Sequence, residues 1–262
     1  MLAALLALQC AAQAGVPPGA ICADDVPRDR RAEYAAAIAR ADERHRSLSY
    51  EQAIDAYHEA LFLDPAGLEA LRGLADAWND LGEATTGEAA EDAFVRALGH
   101  AQCLEELFPT MPDGPYWKAV AYGNLTARRG PGDKVALARE IAAAARCALD
   151  KDPEFAPALV ALGIYERELA GLGFFARVAA RALFGGVEDT SLGESERLLR
   201  RAVALAPASL LARYELGLTL LGMNKKDAAA AELRLVLELL PGEASDVRRQ
   251  LDAAARLARL AP

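Results

Sequence analysis

At 262 residues, the chain is long enough for one large domain or two of ordinary size. Hydrophobic residues make up 53% of it but aromatic residues only 6%, and the excess is alanine, which favours closely packed helices over sheets. The formal net charge of −9, from 29 Lys and Arg against 38 Asp and Glu, repels a phosphate backbone and argues against nucleic acid as a partner.

The first predicted element is an apolar run over residues 1–14, which ends in Ala12-Gln13-Ala14, a small-x-small pattern typical of a signal-peptidase site. The run is shorter than the ~20 apolar residues of a spanning helix, so no transmembrane segment is expected in the mature chain. We therefore predict a signal peptide at 1–14, an extended segment at 15–27 and an exported protein, periplasmic or otherwise extracytoplasmic. If the run is not a signal, the protein is cytoplasmic.

Residues 28–262 are predicted to form one all-α domain of repeated helix pairs. In this region, an amphipathic helix that ends in proline recurs, with the prolines at 65, 109, 153, 207 and 241, separated by 44, 44, 54 and 34 residues. Proline ends a helix because it lacks an N–H and disfavours the α conformation in the residue before it. Only the last interval has the 34-residue length of a plain helix-turn-helix repeat, so the other intervals are predicted to contain insertions.

After three of these prolines a second pattern begins a new helix, with a small residue at Ala75, Gly163 or Gly217. A small side chain is expected there because the two helices of a pair approach closely. Together the two patterns resemble the tetratricopeptide repeat, over about residues 29 to 260. The resemblance implies a right-handed solenoid of divergent helix pairs.

The last predicted element, residues 245–260, is a C-terminal capping helix. Its apolar residues form one stripe, which is expected to face inward: Val247, Leu251, Ala254, Leu257 and Ala258.

A narrower resemblance covers about residues 110 to 260. The run Arg177-Val178-Ala179-Ala180-Arg181-Ala182-Leu183-Phe184-Gly185-Gly186, the Leu216-Gly217 pair after Pro207 and the Asn224-Lys225-Lys226 turn resemble the regulator of microtubule dynamics family. Members of that family share a divergent tetratricopeptide domain, and one animal branch tethers organelle membranes and binds phospholipid through it. A weaker resemblance, to the periplasmic tetratricopeptide lipoproteins of tripartite solute transporters, implies an accessory role in solute uptake.

Candidate binding residues are those at offsets 1, 4, 8 and 11 of the first helix in each pair, which line the concave face of such a solenoid. After Pro65 these positions are polar and include Glu69, Arg72, Asp76 and Asn79. In the later repeats the candidates are apolar: Val160, Ile164, Leu211, Tyr214, Leu218 and Leu221. The sequence thus predicts a groove that is polar in its first half and apolar in its second.

An insertion at 171–188 adds four further candidates. If residues 174–184 are helical, Phe174 and Phe175 begin an apolar face, whereas Arg177 and Arg181 lie on the other side. Two interpretations remain open. The helix either fills the apolar groove and completes the core, or forms a lid over an acyl chain or lipid whose anionic head group meets an arginine.

No arrangement typical of catalysis or metal binding is recognised in the sequence. His45, His58 and His100 lack ligand spacing among themselves, and no glycine-rich phosphate loop occurs. We therefore predict a non-enzymatic scaffold or adaptor, without cofactor, that binds a protein or peptide through its concave face. The alternatives are a carrier of an apolar ligand or lipid, and an accessory component of an extracytoplasmic solute transporter. The oligomeric state does not follow from the sequence.

Overall fold

The computed structural model describes residues 28–126, 128, 131–171 and 190–260. The predicted signal peptide at 1–14, the extended segment at 15–27 and the insertion beyond Gly171 lie outside the described residues. No strand occurs in the described part of the chain. Its helices are α1 (Arg28–Arg46), α2 (Tyr50–Leu63), α3 (Leu68–Ala84), α4 (Gly87–Leu107), α5 (Asp113–Thr126), α6 (Pro131–Lys151), α7 (Ala156–Ala170), α8 (Leu192–Leu205), α9 (Leu210–Gly222), α10 (Lys226–Glu238) and α11 (Ala244–Leu260).

The chain divides into two compact units, residues 1–130 with helices α1 to α5 and residues 131–262 with α6 to α11. Within each unit every helix packs against the next one in the chain, and the odd-numbered helices also contact one another. This is the packing of stacked helix pairs. The predicted all-α helical-repeat fold is confirmed, and its extent as one domain over 28–262 stays a prediction.

The proline turns form as the sequence predicts. At the end of α2, Asp64 lies in the extended region and its N–H still donates to Ala60 O, after which Pro65 prevents a further helical turn. The same bond, from the residue before proline to the carbonyl four residues earlier, closes α4, α6 and α8. One local rule therefore ends four of the second helices.

Close packing at small residues is also confirmed in the second unit. A Cβ added to Gly163 would lie 2.7 Å from Leu199 Cγ, and one added to Gly217 would lie 2.8 Å from Leu233 Cδ2. In both cases the partner leucine belongs to the second helix of the same pair. The glycines therefore set how closely the two helices approach.

The capping helix α11 has a different orientation from the one predicted. Leu251 is 68% exposed and Val247 46%, whereas Ala253 is fully buried, with Leu257 packed beside it in the core. The predicted inward stripe is wrong apart from Leu257, because polar contacts fix the helix. Gln250 Nε2 donates to the carbonyls at the end of α10, of Val236 at 3.0 Å and of Leu239 at 2.8 Å.

Candidate functional site

The odd-numbered helices of each unit lie side by side, and we call the surface they share the first-helix face: α1, α3 and α5 in the first unit, α7, α9 and α11 in the second. The predicted concave positions of α3 lie on this face. Their side chains extend toward a neighbouring first helix, alternately on one side of α3 and then on the other.

The side chains of Glu69 and Asp76 extend toward α1. Tyr34 Oη donates to Glu69 Oε2 at 3.0 Å, and it also accepts from Ala70 N at 3.3 Å. Further along α3, Asp76 Oδ2 lies 4.0 Å from His45 Nδ1. Asp80, another turn along the same side of α3, is closer to that imidazole, with 2.8 Å between His45 Nε2 and Asp80 Oδ2.

The side chains of Arg72 and Asn79 extend toward α5. Arg72 Nε lies 2.7 Å from Oδ1 of Asp113, a carboxylate that is only 8% exposed. Asn124 Nδ2 donates to Asn79 Oδ1 at 3.0 Å, while Asn79 Nδ2 donates to Ala75 O. Asn79 is buried, so it links two helices and presents nothing to a partner. Arg72 and Asp76 keep 43% and 39% of their side chains exposed, and Glu69 is also exposed, so these three remain accessible on the face.

The imidazole of His45 is held between two aromatic rings. Tyr50 and Tyr57 contact it edge-on, with centroid distances of 5.6 Å and 6.5 Å. Tyr57 is fixed in turn, because its Oη donates to Asp42 Oδ1 at 2.7 Å. Burial and this carboxylate raise the pKa of Tyr57 well above its usual value, so it stays a neutral donor. Sequence reasoning missed the pairing of His45 with Asp80 because these two residues are 35 positions apart.

In the second unit the link between first helices is a buried ion pair. Arg167 Nη1 donates to Glu215 Oε2 at 2.5 Å, and the two side chains are only 14% and 10% exposed. Arg167 lies at offset 11 of α7, one of the concave positions that the repeat pattern identifies, so this residue could have been predicted from the sequence. On the far side of α9, Tyr214 Oη donates to Asp252 Oδ2 on α11 at 2.7 Å. Burial, with this carboxylate, raises the pKa of Tyr214 to about 12.

The apolar candidates of the second unit are only partly accessible. Val160 is buried at 3% exposure, while Ile164, Leu211 and Leu218 are partly exposed. Tyr214 and Leu221 pack against the core around Leu210, Leu233, Val236 and Ala253. The remaining candidates lie outside the described residues: Phe174, Phe175, Arg177 and Arg181. A binding role for these residues stays a prediction.

A family model described as regulator of microtubule dynamics protein 1-3 matches residues 37–261 of the chain. A search of curated proteins found no match. TTC0263, a tetratricopeptide protein of Thermus thermophilus, has a similar structure, with a TM-score of 0.62 and 20% identity over 87% of this chain and 98% of that one. This likeness shows the tetratricopeptide fold.

Two further solved structures are more distant. MamA matches at 15% identity, over 84% of this chain and 96% of its own, with a TM-score of 0.44. YrrB, described as a tetratricopeptide protein with an unusual peptide-binding site, matches at 15% identity, over 84% and 88%, with a TM-score of 0.38. Among the described residues, no helix is both long and apolar enough to cross a membrane.

Proposed function

We propose that this chain, which belongs to the regulator of microtubule dynamics protein 1-3 family, is a non-catalytic scaffold that binds a protein or peptide segment along the first-helix face of its first unit. The tetratricopeptide fold supports a role in protein interaction, because stacked helix pairs present an extended surface rather than an enclosed pocket. What we propose beyond the fold is which surface binds the partner and which charged groups recognise it.

One observation carries the choice of surface. Arg72 and Asp76 are opposite charges one helical turn apart on α3; each lies near a neighbouring helix, and 43% and 39% of their side chains stay exposed. Side chains that are already held in place lose less conformational entropy when a partner binds. The pair also has a fixed direction, positive then negative along the helix, so it can distinguish the two orientations of an extended peptide.

Site-specific photo-cross-linking tests the surface. A photoreactive residue is placed at position 69, where Glu69 is exposed on the first-helix face and Arg72 and Asp76 are left intact, and a matched one at position 95, where Val95 is 52% exposed on the second helix α4. We expect one polypeptide to be captured from position 69 and not from position 95. Equal capture from both positions, or none from position 69, contradicts the proposal.

The captured partner then allows a quantitative test with Asp76→Asn. Loss of one charged hydrogen-bonding group is expected to weaken binding roughly tenfold, measured by titration calorimetry. Asp92→Asn, the same change at an exposed position of α4, is the control and should leave the affinity unchanged.

A carrier of an apolar ligand is the second candidate, and one observation favours it. On the first-helix face of the second unit, Ile164, Leu211 and Leu218 remain partly exposed at positions that are polar in the first unit. Extraction of the natively purified full chain, followed by mass spectrometry, should then recover one recurrent lipid at near-stoichiometric amount. Recovery of only trace, mixed lipids contradicts the carrier.

We also propose that the protein is exported. The apolar run over residues 1–14 and its Ala12-Gln13-Ala14 ending support this location. Mass determination of the mature protein from its native source should find an N-terminus at Gly15, whereas a mature chain that retains residues 1–14 contradicts cleavage at this site.

A further inference from the structure

We propose that His45, Asp76 and Asp80 bind a divalent transition metal ion, with Zn²⁺ the best match, on the first-helix face of the first unit. Each residue offers one ligand atom, and the three atoms all lie within 4.8 Å of one another. The inference does not depend on the scaffold function, since it concerns a metal ion alone.

The three ligands converge from two adjacent helices. Asp76 and Asp80 are four residues apart on α3, a spacing that places both carboxylates on one side of a helix. His45 reaches them from the last turn of α1. Ligand atoms that each lie about 2.0 to 2.2 Å from one ion are about 3 to 3.5 Å apart. The observed distances are 2.8 Å from Asp80 Oδ2 to His45 Nε2 and 4.0 Å from Asp76 Oδ2 to His45 Nδ1. Because an imidazole binds a given ion through one nitrogen only, side-chain rotations must bring both carboxylates to the same nitrogen, starting from ligand atoms that lie within 4.8 Å of one another.

The surroundings of His45 hold the imidazole in place. Tyr50 and Tyr57 flank the ring, and Asp42 fixes the hydroxyl of Tyr57. Tyr57 has room to lie there only because α3 carries Gly73, where a Cβ would fall 2.3 Å from the Tyr57 ring. Groups that orient a metal-binding imidazole add to the affinity of a site.

The ligand set indicates the class of metal. One imidazole with two carboxylates suits zinc and its first-row neighbours, whereas Mg²⁺ and Ca²⁺ prefer oxygen ligands throughout. The two carboxylates also offset the charge of a divalent cation. Asp76 is 39% exposed, against 15% for His45 and 11% for Asp80, so the site is accessible from the side of Asp76. With three protein ligands, the remaining coordination position is left to water or to a donor from a bound molecule.

An alternative is that the imidazole and the carboxylates only tie α1 to α3. The two interpretations differ in the response to metal. Tag-free full-length protein is stripped with chelator, and thermal unfolding is followed with ZnCl₂, MgCl₂ or no metal at neutral pH. At a Zn²⁺ concentration of about 100 Kd we expect Tm to rise by about 5 °C or more, with no comparable rise in Mg²⁺. Co²⁺ should produce visible d–d absorption as it occupies the same site.

Variants then locate the response. His45→Gln and Asp80→Asn should abolish both the Zn²⁺ shift in Tm and the Co²⁺ absorption, and Asp76→Asn should weaken Zn²⁺ binding at least tenfold. Asp76 is the most exposed of the three, so this variant is expected to fold normally, as far-UV circular dichroism of the metal-free protein checks. Glu69→Gln, on the same face but outside the cluster, is the matched control and should keep the full response. Absence of a Zn²⁺ response in the parent protein, or its persistence in all three variants, overturns the site.

Discussion

In both units, side-chain hydrogen bonds and ion pairs join neighbouring first helices, but the units differ in how much of these side chains stays exposed to solvent. In the first unit, α3 contacts α1 and α5 partly through shielded groups, such as Asp113 at 8% exposure, but Arg72 and Asp76 themselves keep 43% and 39% of their side chains exposed. In the second unit, the Arg167–Glu215 pair is shielded from solvent at nearly all of its surface. Under the proposed function, a partner recognises the first arrangement, whereas the second holds helices together. Equivalent positions in a repeat would then separate into recognition and support according to their burial.

The largest effect that this comparison predicts is at Arg167. Arg167→Met retains volume but leaves Glu215, which is 10% exposed, as a buried charge without its guanidinium partner. We expect a loss of about 3 to 5 kcal/mol in the free energy of unfolding, measured by urea denaturation. The comparison change in the first unit is Arg40→Met, which breaks an exposed ion pair between α1 and α2: the side chains of Arg40 and Glu59 are 58% and 63% exposed. That variant should lose less than about 1 kcal/mol, and similar losses in both variants would remove the distinction between support and surface.

The next largest losses of stability are predicted at glycines that leave room for a side chain of a neighbouring helix. In the first unit a Cβ at Gly73 would lie 2.3 Å from the Tyr57 ring, and in the second a Cβ at Gly217 would lie 2.8 Å from the end of Leu233. A rigid ring cannot yield as a leucine tip can, so Gly73→Ala should cost about 2 to 3 kcal/mol and Gly217→Ala about 1 to 2 kcal/mol. Gly99→Ala is the control. Its Cβ meets nothing within 4 Å, and the higher helix propensity of alanine should stabilise the protein by about 0.5 to 1 kcal/mol.

Acid sensitivity should distinguish the units as well, because all three histidines of the chain precede residue 101. Burial, with His58 and Arg96 nearby, lowers the pKa of His100 to about 3. The unfolded chain binds a proton at this residue near pH 6.5, so between pH 6.5 and 3 it carries more protons than the folded state. Stability is therefore full above pH 6.5 and falls as the pH drops.

This extra proton binding by the unfolded chain at His100 should lower the free energy of unfolding by about 2 kcal/mol at pH 5 relative to pH 7. Urea unfolding at pH 7 and pH 5 measures this loss, and His100→Gln should remove a large part of it. Burial also lowers the pKa of His58, which adds a loss of the same sign that this variant retains. The carboxylates whose pKa values are lowered by arginine and lysine partners, among them Glu194 and Glu196, lose their contribution only at lower pH. An equal loss between pH 7 and pH 5 in the parent and in His100→Gln would show that another group is responsible.

Local chemistry made the helix boundaries predictable, whereas contacts between distant residues decide the site. The proline turns and the close approach at Gly163 and Gly217 follow from backbone rules and side-chain size, so the sequence indicates them directly. The orientation of α11 does not follow, because this alanine-rich helix carries small residues on more than one face. Hydrogen bonds of Gln250 to carbonyls of another helix decide which face is buried. The meeting of His45 with Asp80 likewise depends on the register of α1 against α3, which periodicity within either helix does not contain.

The smallest predicted effect compares two tyrosines that link first helices. Tyr34 in the first unit donates to Glu69, and Tyr214 in the second donates to Asp252. Tyr→Phe at either position removes a hydroxyl that bonds to a carboxylate, and each change should cost about 1 kcal/mol in urea unfolding. Tyr34→Phe should cost slightly more, because Ala70 N also donates to the lost hydroxyl.

The two tyrosine variants also test which unit carries the partner-binding surface. Tyr34→Phe frees Glu69 on the face proposed to bind a peptide, so it should change partner affinity as well as stability. Tyr214→Phe should alter stability alone, because it lies in the unit whose links are structural. If partner affinity follows Tyr214 and not Tyr34, the binding surface belongs to the second unit, and the assignment of recognition to the first unit is reversed.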